Sequence, residues 1–285
     1  MGCIGCAALA LDGSGVTLTR KESSSIPVEA DSICPDRFMG LGQTQIAELP
    51  AYYGRRKVTL GDLFEVDGAG ADNVTVSGDL RAVKKIGQGM SMGRVTVTGD
   101  VGPHLGVSMS GGEIVVEGNA GDWVGAHMSG GRIVVEGDAG HFVGAAYSGE
   151  TRGVSGGTII VGGNAGREVG GRMRRGLIVV LGDTGEFAGA GMLAGTVFVR
   201  GRLGGRPGAG MKRGTIVAFG EAPELLPTFR YACSYRPVFL QCYLQSLTTS
   251  GIIESPGLPG GEFRRYVGDM NSGGRGEVLV RDQSQ

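Results

Sequence analysis

The amino-acid sequence predicts an all-β fold: a right-handed parallel β-helix, or solenoid, of 19-residue coils closed by small N- and C-terminal caps. Three observations predict it. First, one unit recurs, with openings at Gly87, Gly106, Gly125, Gly144, Gly170, Gly189 and Gly208: Gly, a Met three residues on, a second Gly three further, alternating Ile/Val, then two more Gly. The step is 19 residues except in the fourth copy, which carries seven extra, and a fixed period of this length marks a stack of coils. Second, the apolar residues fall into columns: Met90, Met109, Met128, Met173, Met192 and Met211 in one, and pairs such as Val95/Val97, Ile114/Val116, Ile178/Val180 and Ile216/Ala218 in two others. Third, 57 of 285 residues are Gly, about three times the usual share of roughly 7%. They follow the repeat and not the every-third-residue rule of collagen.

In chain order, residues 1–25 are weakly patterned and expected to be weakly ordered, with Val16–Thr19 as a candidate first strand. Residues 26–86 are read as an N-terminal cap with irregular first coils. Phe38, Ile46 and Leu49, between Pro35 and Pro50, fall at roughly helical spacing and predict one short helix. Leu63–Val66 and Val74–Val76 with Gly78 read as imperfect coils. Residues 87–220 are the regular repeats, where an alternation such as Ile114-Val115-Val116-Glu117 is the period-two signal of a strand with one buried face. The steps Gly99-Asp100, Gly118-Asn119, Gly137-Asp138, Gly163-Asn164 and Gly182-Asp183 supply residues that tolerate positive φ at turns. Strands stacked about 4.8 Å apart give a rod of about 34 Å for seven coils. The six-residue sub-period of left-handed β-helices is missing, so the coils are read as right-handed. Residues 221–285 leave the pattern and bring in Phe229, Tyr231, Tyr235, Phe239 and Tyr243 as a C-terminal cap or docking arm, with a helical face at Leu240–Leu247 and a final strand at Gly276–Val280.

A net charge of −1 and a pI near 6.3 give no basic excess of the kind that drives nonspecific nucleic-acid binding. The five cysteines, Cys3, Cys6, Cys34, Cys233 and Cys242, are odd in number and scattered, unlike a disulfide framework, and a reducing cytoplasm is the expected compartment. The start has no basic n-region, and nowhere do eighteen apolar residues run together, so neither a signal nor a membrane span is expected.

The coil signature G-x-x-M-x-x-G-x-I-x-V-x-G-[DN]-x-G-x-x-x-G resembles the Gly-x-Gly-x-Gly repeat domain found both in the large subunit of glutamate synthase and in the C subunit of formylmethanofuran dehydrogenase. The flanking residues resemble the second branch, including the C subunit of the bacterial formyltransferase/hydrolase complex, over roughly Pro27 to Val280. They are Asp62–Val66, Gly78-Asp79-Leu80, Ile86–Met90, Gly170–Gly176, Gly210–Gly214 and the tail Arg265–Asp269. One departure is visible: Tyr147 stands where the fourth coil expects Met, and Val154 restores the register to Ile159, which predicts a loop excursion between Gly144 and Val154. In that family the archaeal complex reduces CO2 onto methanofuran. The bacterial one moves a formyl group from tetrahydromethanopterin to a methanofuran-type carrier and hydrolyses it to formate. The resemblance implies a structural, non-catalytic role for this chain, with formyl transfer on the D subunit, metal-dependent hydrolysis on the A subunit, and a further partner in the B subunit.

Candidate chemistry on the chain itself is sparse. A zinc hydrolase site needs three or more converging ligands, and only His104, His127 and His141 are present. Cys3-Ile4-Gly5-Cys6 is a lone CxxC without a second pair or a strand–helix setting. The series Asp100, Asn119, Asp138, Asn164, Asp183 could suggest coil-face catalytic carboxylates. It repeats one environment and swaps to Asn and, at Arg202, to Arg, whereas a catalytic pair needs two different environments. No glycine-rich turn leads into a helix that would bind phosphate. Catalytic and metal residues are therefore expected to be absent.

Charge is more informative. Residues 87–166 carry 3 Arg/Lys against 7 Asp/Glu, and residues 167–236 carry 11 against 5. Arg174-Arg175 and Lys212-Arg213 share one coil phase. The bland reading is a solvated face or inter-subunit ion pairs; the sharper one is that these four residues steer an acidic carrier tail between sister active sites. Two other classes stand against a structural role: a carbohydrate-active β-helix, which would need a cleft rich in carboxylates and aromatics, and a glutamate synthase-like module relaying motion between domains.

Overall fold

The 19-residue period reappears as strand register. The computed structural model describes residues 15–70, 72–249 and 261–282. In chain order the elements are β1 (Val16–Arg20), β2 (Val28–Glu29), α1 (Pro35–Phe38), α2 (Gln43–Ala47), β3 (Pro50–Tyr53), β4 (Arg56–Thr59), α3 (Leu60–Leu63), β5 (Phe64–Gly68), β6 (Asn73–Ser77) and β7 (Val83–Lys84). The repeats supply β8 (Arg94–Thr98), β9 (Glu113–Val116), β10 (Arg132–Val135), β11 (Thr158–Val161), β12 (Leu177–Val180), β13 (Thr196–Val199) and β14 (Arg213–Ala218). The tail adds β15 (Arg230–Tyr235), α4 (Val238–Thr249), β16 (Phe263–Gly268) and β17 (Arg275–Arg281).

A 13-stranded sheet runs β15-β16-β17-β14-β13-β12-β11-β10-β9-β8-β6-β1-β5, and a second sheet runs β4-β3-β2-β7. From β1 to β17 the large sheet is parallel, and each residue faces its copy in the next coil, as Ile114 faces Ile133 and Ile133 faces Ile159. A second line of parallel bridges joins Leu80, Val101, Ala120, Ala139, Ala165 and Thr184. A third line of backbone bonds joins Gly106 N–H to Ile86 C=O, Gly125 to Leu105 and Gly144 to Val124 at 2.8–2.9 Å. Each coil is thus fastened to the next at three places. Between these lines lie the Met and Ile/Val columns, fully buried, which no single coil could shield.

Glycine makes this stack possible where coils meet most closely. Gly106 has φ +62°, and a Cβ there would lie 2.5 Å from Ile133 Cδ1. At Gly157 a Cβ would meet the Met128 methyl at 2.7 Å, and Met90, Met173 and Met192 seat in the same way on Gly112, Gly195 and Gly214 of the coil above.

Several expectations change. Two helical turns replace the single helix: the chain turns at Gly40 with φ +74°, and α1 and α2 each bury one large apolar residue, Phe38 and Ile46. Leu63–Val66 is not a coil. A Thr59/Asp62 capping box opens α3, and β5 runs antiparallel to β1 at the sheet edge. β1 falls on the expected Val16–Thr19 strand, inside the stretch otherwise expected to be weakly ordered; it pairs with β5 on one side and, in parallel, with β6 on the other. The Gly-Asp/Asn steps serve close approach and not positive φ, since only Gly99 among those glycines has one. At Gly118 a Cβ would strike the Gly99 carbonyl carbon at 2.5 Å.

The excursion at Gly144–Val154 leaves the register intact. Val154 is fully buried, and its carbonyl accepts from Arg174 N–H at 2.7 Å, as Met173 accepts from Leu193 at 2.8 Å. At the far end β17 adds one more parallel strand, pairing Arg213 with Arg275 and Ala218 with Val280. The outward residues Ile160, Val179, Phe198, Val217 and Leu279 form a second apolar cluster with Leu240 and Leu247 of α4.

Candidate functional site

The position two residues before each opening glycine forms an edge ladder: Lys85, His104, Trp123, Phe142, Glu168, Phe187 and Arg206, with φ between +55° and +70° at every one. Left-handed backbone costs a non-glycine residue roughly 1–2 kcal/mol. From Lys85 to Phe187 it is held because the N–H reaches the next coil: Trp123 donates to His141 C=O at 2.8 Å, Phe142 to Arg167 at 2.9 Å and Phe187 to Gly205 at 2.8 Å. The side chains project along the coil edge and stack. Trp123 and Phe142 lie 4.3 Å apart at 14°, His104 lies parallel to Trp123 at 6.5 Å, and the guanidinium groups of Arg167 and Arg206 sit 5.3 and 5.5 Å from the Phe142 and Phe187 rings.

The Gly144–Val154 excursion folds over this ladder as a strap. Tyr147 packs against His104, Trp123 and His127, and its phenol oxygen lies 2.8 Å from His104 Nδ1. Glu150 pairs with His127 Nε2 at 2.9 Å, and Arg172 donates to the Glu150 carbonyl at 2.6 Å. Burial, then the charges of Lys84 and Lys85, lowers the His104 pKa; burial, then Glu150, raises that of the Tyr147 phenol. Between strap and ladder lies a cleft of about 370 Å³ bordered by Trp123, Phe142, Ser148, Glu168, Arg172 and Gly191.

His104 and His127 are thus joined through Tyr147, while His141 contacts the edge of Phe142 and accepts Arg167 N–H at Nδ1, 3.1 Å away. Among the described residues no group of three or more His, Cys, Asp or Glu is placed to hold a metal ion. Cys3 and Cys6 lie outside the described residues, and Cys34, Cys233 and Cys242 are free thiols. The Asp/Asn series is an intercoil ladder in which Asp100 Oδ1 accepts Asn119 N–H at 2.8 Å, Asn119 accepts Asp138, Asp138 accepts Asn164, and Asp183 accepts Arg202 at 2.7 Å.

Arg174, Arg175, Lys212 and Arg213 are exposed, and none of the four makes an ion pair among the described residues. The bonds Leu193 N–H to Met173 C=O and Lys212 N–H to Met192 C=O put both basic pairs at one phase, two coils apart. Sequence reasoning missed Arg275, which the β14–β17 register sets beside Arg213. It also missed the edge ladder as a unit; its signal was a common offset within the repeat, occupied by unlike residues. At the other end Asp269, in the tail motif, accepts N–H groups from Gly210 and Asn271 at 2.9 and 3.0 Å and so ties the tail to the last regular coil. Burial raises its pKa, but those bonds keep it below the usual carboxylate value.

These features define a repeat-built β protein whose coil edges, and not its interior, carry the distinctive side chains. No family model matches the sequence. Curated relatives match about a third of it. The C subunit of molybdenum-containing formylmethanofuran dehydrogenase 1 from Methanothermobacter marburgensis is 44% identical over 94 residues, 32% of this chain and 24% of the relative. The C subunit of tungsten-containing formylmethanofuran dehydrogenase 2 from the same organism is 41% identical over 98 residues, 33% of this chain and 36% of the relative. The chain therefore spans about a quarter to a third of the length of these curated relatives. A chain in the crystal structure of the formyltransferase/hydrolase complex from Methylorubrum extorquens with methylofuran superposes with a TM-score of 0.87 at 38% identity, covering 94% of this chain and 100% of that one. The protein belongs to the same family as that chain of the formyltransferase/hydrolase complex, and about a third of it is similar to formylmethanofuran dehydrogenase C subunits. No helix among the described residues is long and apolar enough to cross a membrane.

Proposed function

We propose that this chain is the structural, non-catalytic C subunit of a formyltransferase/hydrolase complex that converts formyl-tetrahydromethanopterin to formate through a formylated methanofuran-type carrier. One observation carries the reading: the end-to-end match to a chain of the Methylorubrum extorquens complex, against partial matches to subunits of the CO2-reducing enzymes. In this reading the coils wind as a right-handed parallel β-helix, the hand that parallel crossovers take almost without exception. The described parts of residues 26–86 and 221–285 cap its two ends. The rigid rod holds the transferase (the D subunit) and the hydrolase (the A subunit) in fixed relation, with the B subunit next to them. Arg174, Arg175, Lys212 and Arg213 steer the anionic carrier, because exposed like charges without counter-ions attract an anion from a distance.

The test is affinity purification of the tagged chain from its native cell, followed by mass spectrometry. Recovery of formyltransferase and amidohydrolase subunits without molybdenum or tungsten proteins is the expected result. Recovery of a molybdenum or tungsten subunit would reassign the chain to the CO2-reducing complex.

A further inference from the structure

We infer that the edge ladder from Trp123 to Arg206 is the docking surface for a sister protein of the complex. The docking segment fills the cleft beside Trp123 and Phe142 with an apolar side chain and sets carboxylates against Arg172 and Arg206. This rests on the reading of the chain as one subunit of a complex.

The backbone argues first. Twenty-odd glycines adopt positive φ elsewhere in the chain, yet none of the seven ladder positions is Gly, although Gly would remove the strain there. Side chains are retained at these positions against a local cost, and strain of this kind gathers where a surface has a task. Variation argues second. Columns that pack coil on coil repeat one residue type, as the Met column does, whereas the ladder reads Lys, His, Trp, Phe, Glu, Phe, Arg. A surface whose neighbouring rungs all differ is addressed to something outside the stack.

The chemistry narrows the occupant. Trp, Tyr and Arg dominate the energetics of protein interfaces, and here Trp123, Phe142 and Tyr147 are half-buried and already stacked, so docking immobilises little that is free. Small residues line the far side of the cleft, Ala190 and Gly191 among them, which leaves depth for one apolar side chain. Arg172 and Glu168 both line the cleft, with Glu150 and Glu186 beside them; the positive field comes from the coils as a whole, with 11 Arg/Lys against 5 Asp/Glu over residues 167–236. An acidic segment complements that field and a basic one does not.

The experiment is quantitative co-purification of the full complex through a tag on this chain, comparing wild type, the double variant Trp123→Ala/Phe142→Ala, and Arg206→Glu. Circular dichroism and thermal midpoints of the isolated chains check that folding is kept. The expected result is a loss of affinity for one sister subunit of about tenfold or more in the double variant. Arg206→Glu should show a similar loss at low salt that shrinks at high salt. Folded variants that assemble at wild-type affinity overturn the proposal. So does intact assembly with impaired turnover, which would make the cleft a small-molecule site. A wild-type chain that recovers no sister subunit overturns both this proposal and the reading beneath it.

Discussion

Tyr147 and His104 are 43 positions apart, and the phenol oxygen of one lies 2.8 Å from Nδ1 of the other. That contact crosses two coils and pins the strap to the edge ladder. Tyr147→Phe keeps the ring stack and removes only the hydroxyl, so stability should fall by about 1 kcal/mol, read as an earlier midpoint in urea.

The same pair sets a pH dependence. Burial, then Lys84 and Lys85, holds the folded pKa of His104 below its ordinary value, so between the two values the unfolded chain binds a proton that the folded chain does not. The resulting stability is complete above about pH 6.5 and is lost as pH falls through the folded value. His104→Gln should therefore flatten the loss of stability measured between about pH 7 and about pH 5.

Asp138 accepts Asn164 N–H at 2.6 Å, and its own N–H donates to Asn119 Oδ1 at 2.8 Å. Asp138→Asn keeps an acceptor and matches the ladder's alternate residue, so it should change stability by less than about 0.5 kcal/mol. Asp138→Ala removes the acceptor and should cost about 1 kcal/mol. Equal midpoints for the two variants in chemical denaturation would remove the ladder from the account of stability.

Gly130 and Gly149 separate crowding from backbone strain. A Cβ at Gly130 would press on the Ser110 carbonyl oxygen of the neighbouring coil, while Gly149, at φ +88°, has nothing within 4 Å. Gly130→Ala should cost about 3 kcal/mol, because backbone in a stack cannot yield. Gly149→Ala should cost about 1 kcal/mol, the left-handed penalty alone. Thermal melts of the two proteins test the difference.

If the basic coils guide an anionic carrier, replacing Arg174, Arg175, Lys212 and Arg213 with Gln in the intact complex should lower turnover at low ionic strength and weaken its salt dependence. Unchanged turnover with unchanged salt dependence would leave these residues a solvated face.

The sequence announced whatever the stack repeats. Met128, Ile133 and Val135 recur because each must fit its own copy one coil away, and identical packing leaves an identical trace. The edge ladder was hidden for the opposite reason: Trp123, Phe142 and Glu168 share a backbone conformation and an offset in the repeat but no residue type, so the offset alone did not join them. The split of the N-terminal helix was missed because spacing of Phe38 and Ile46 outweighed the turn at Gly40 between them. Asp138 fits a turn residue and an intercoil acceptor equally well on paper, and only its bond to Asn164 decides. The Arg213–Arg275 neighbourhood joins distant stretches of chain that local pattern cannot connect.

That last pairing also sets an order of events. Neighbouring regular strands form by closing loops of 19 or 26 residues, whereas β17 reaches β14 across about sixty, an extra closure cost of about 1 kcal/mol. By closure cost the rung bearing Arg275 is therefore expected to form after the regular coils, as is β1 on β6 at the other end of the stack, so the two ends of the sheet should be completed after its middle.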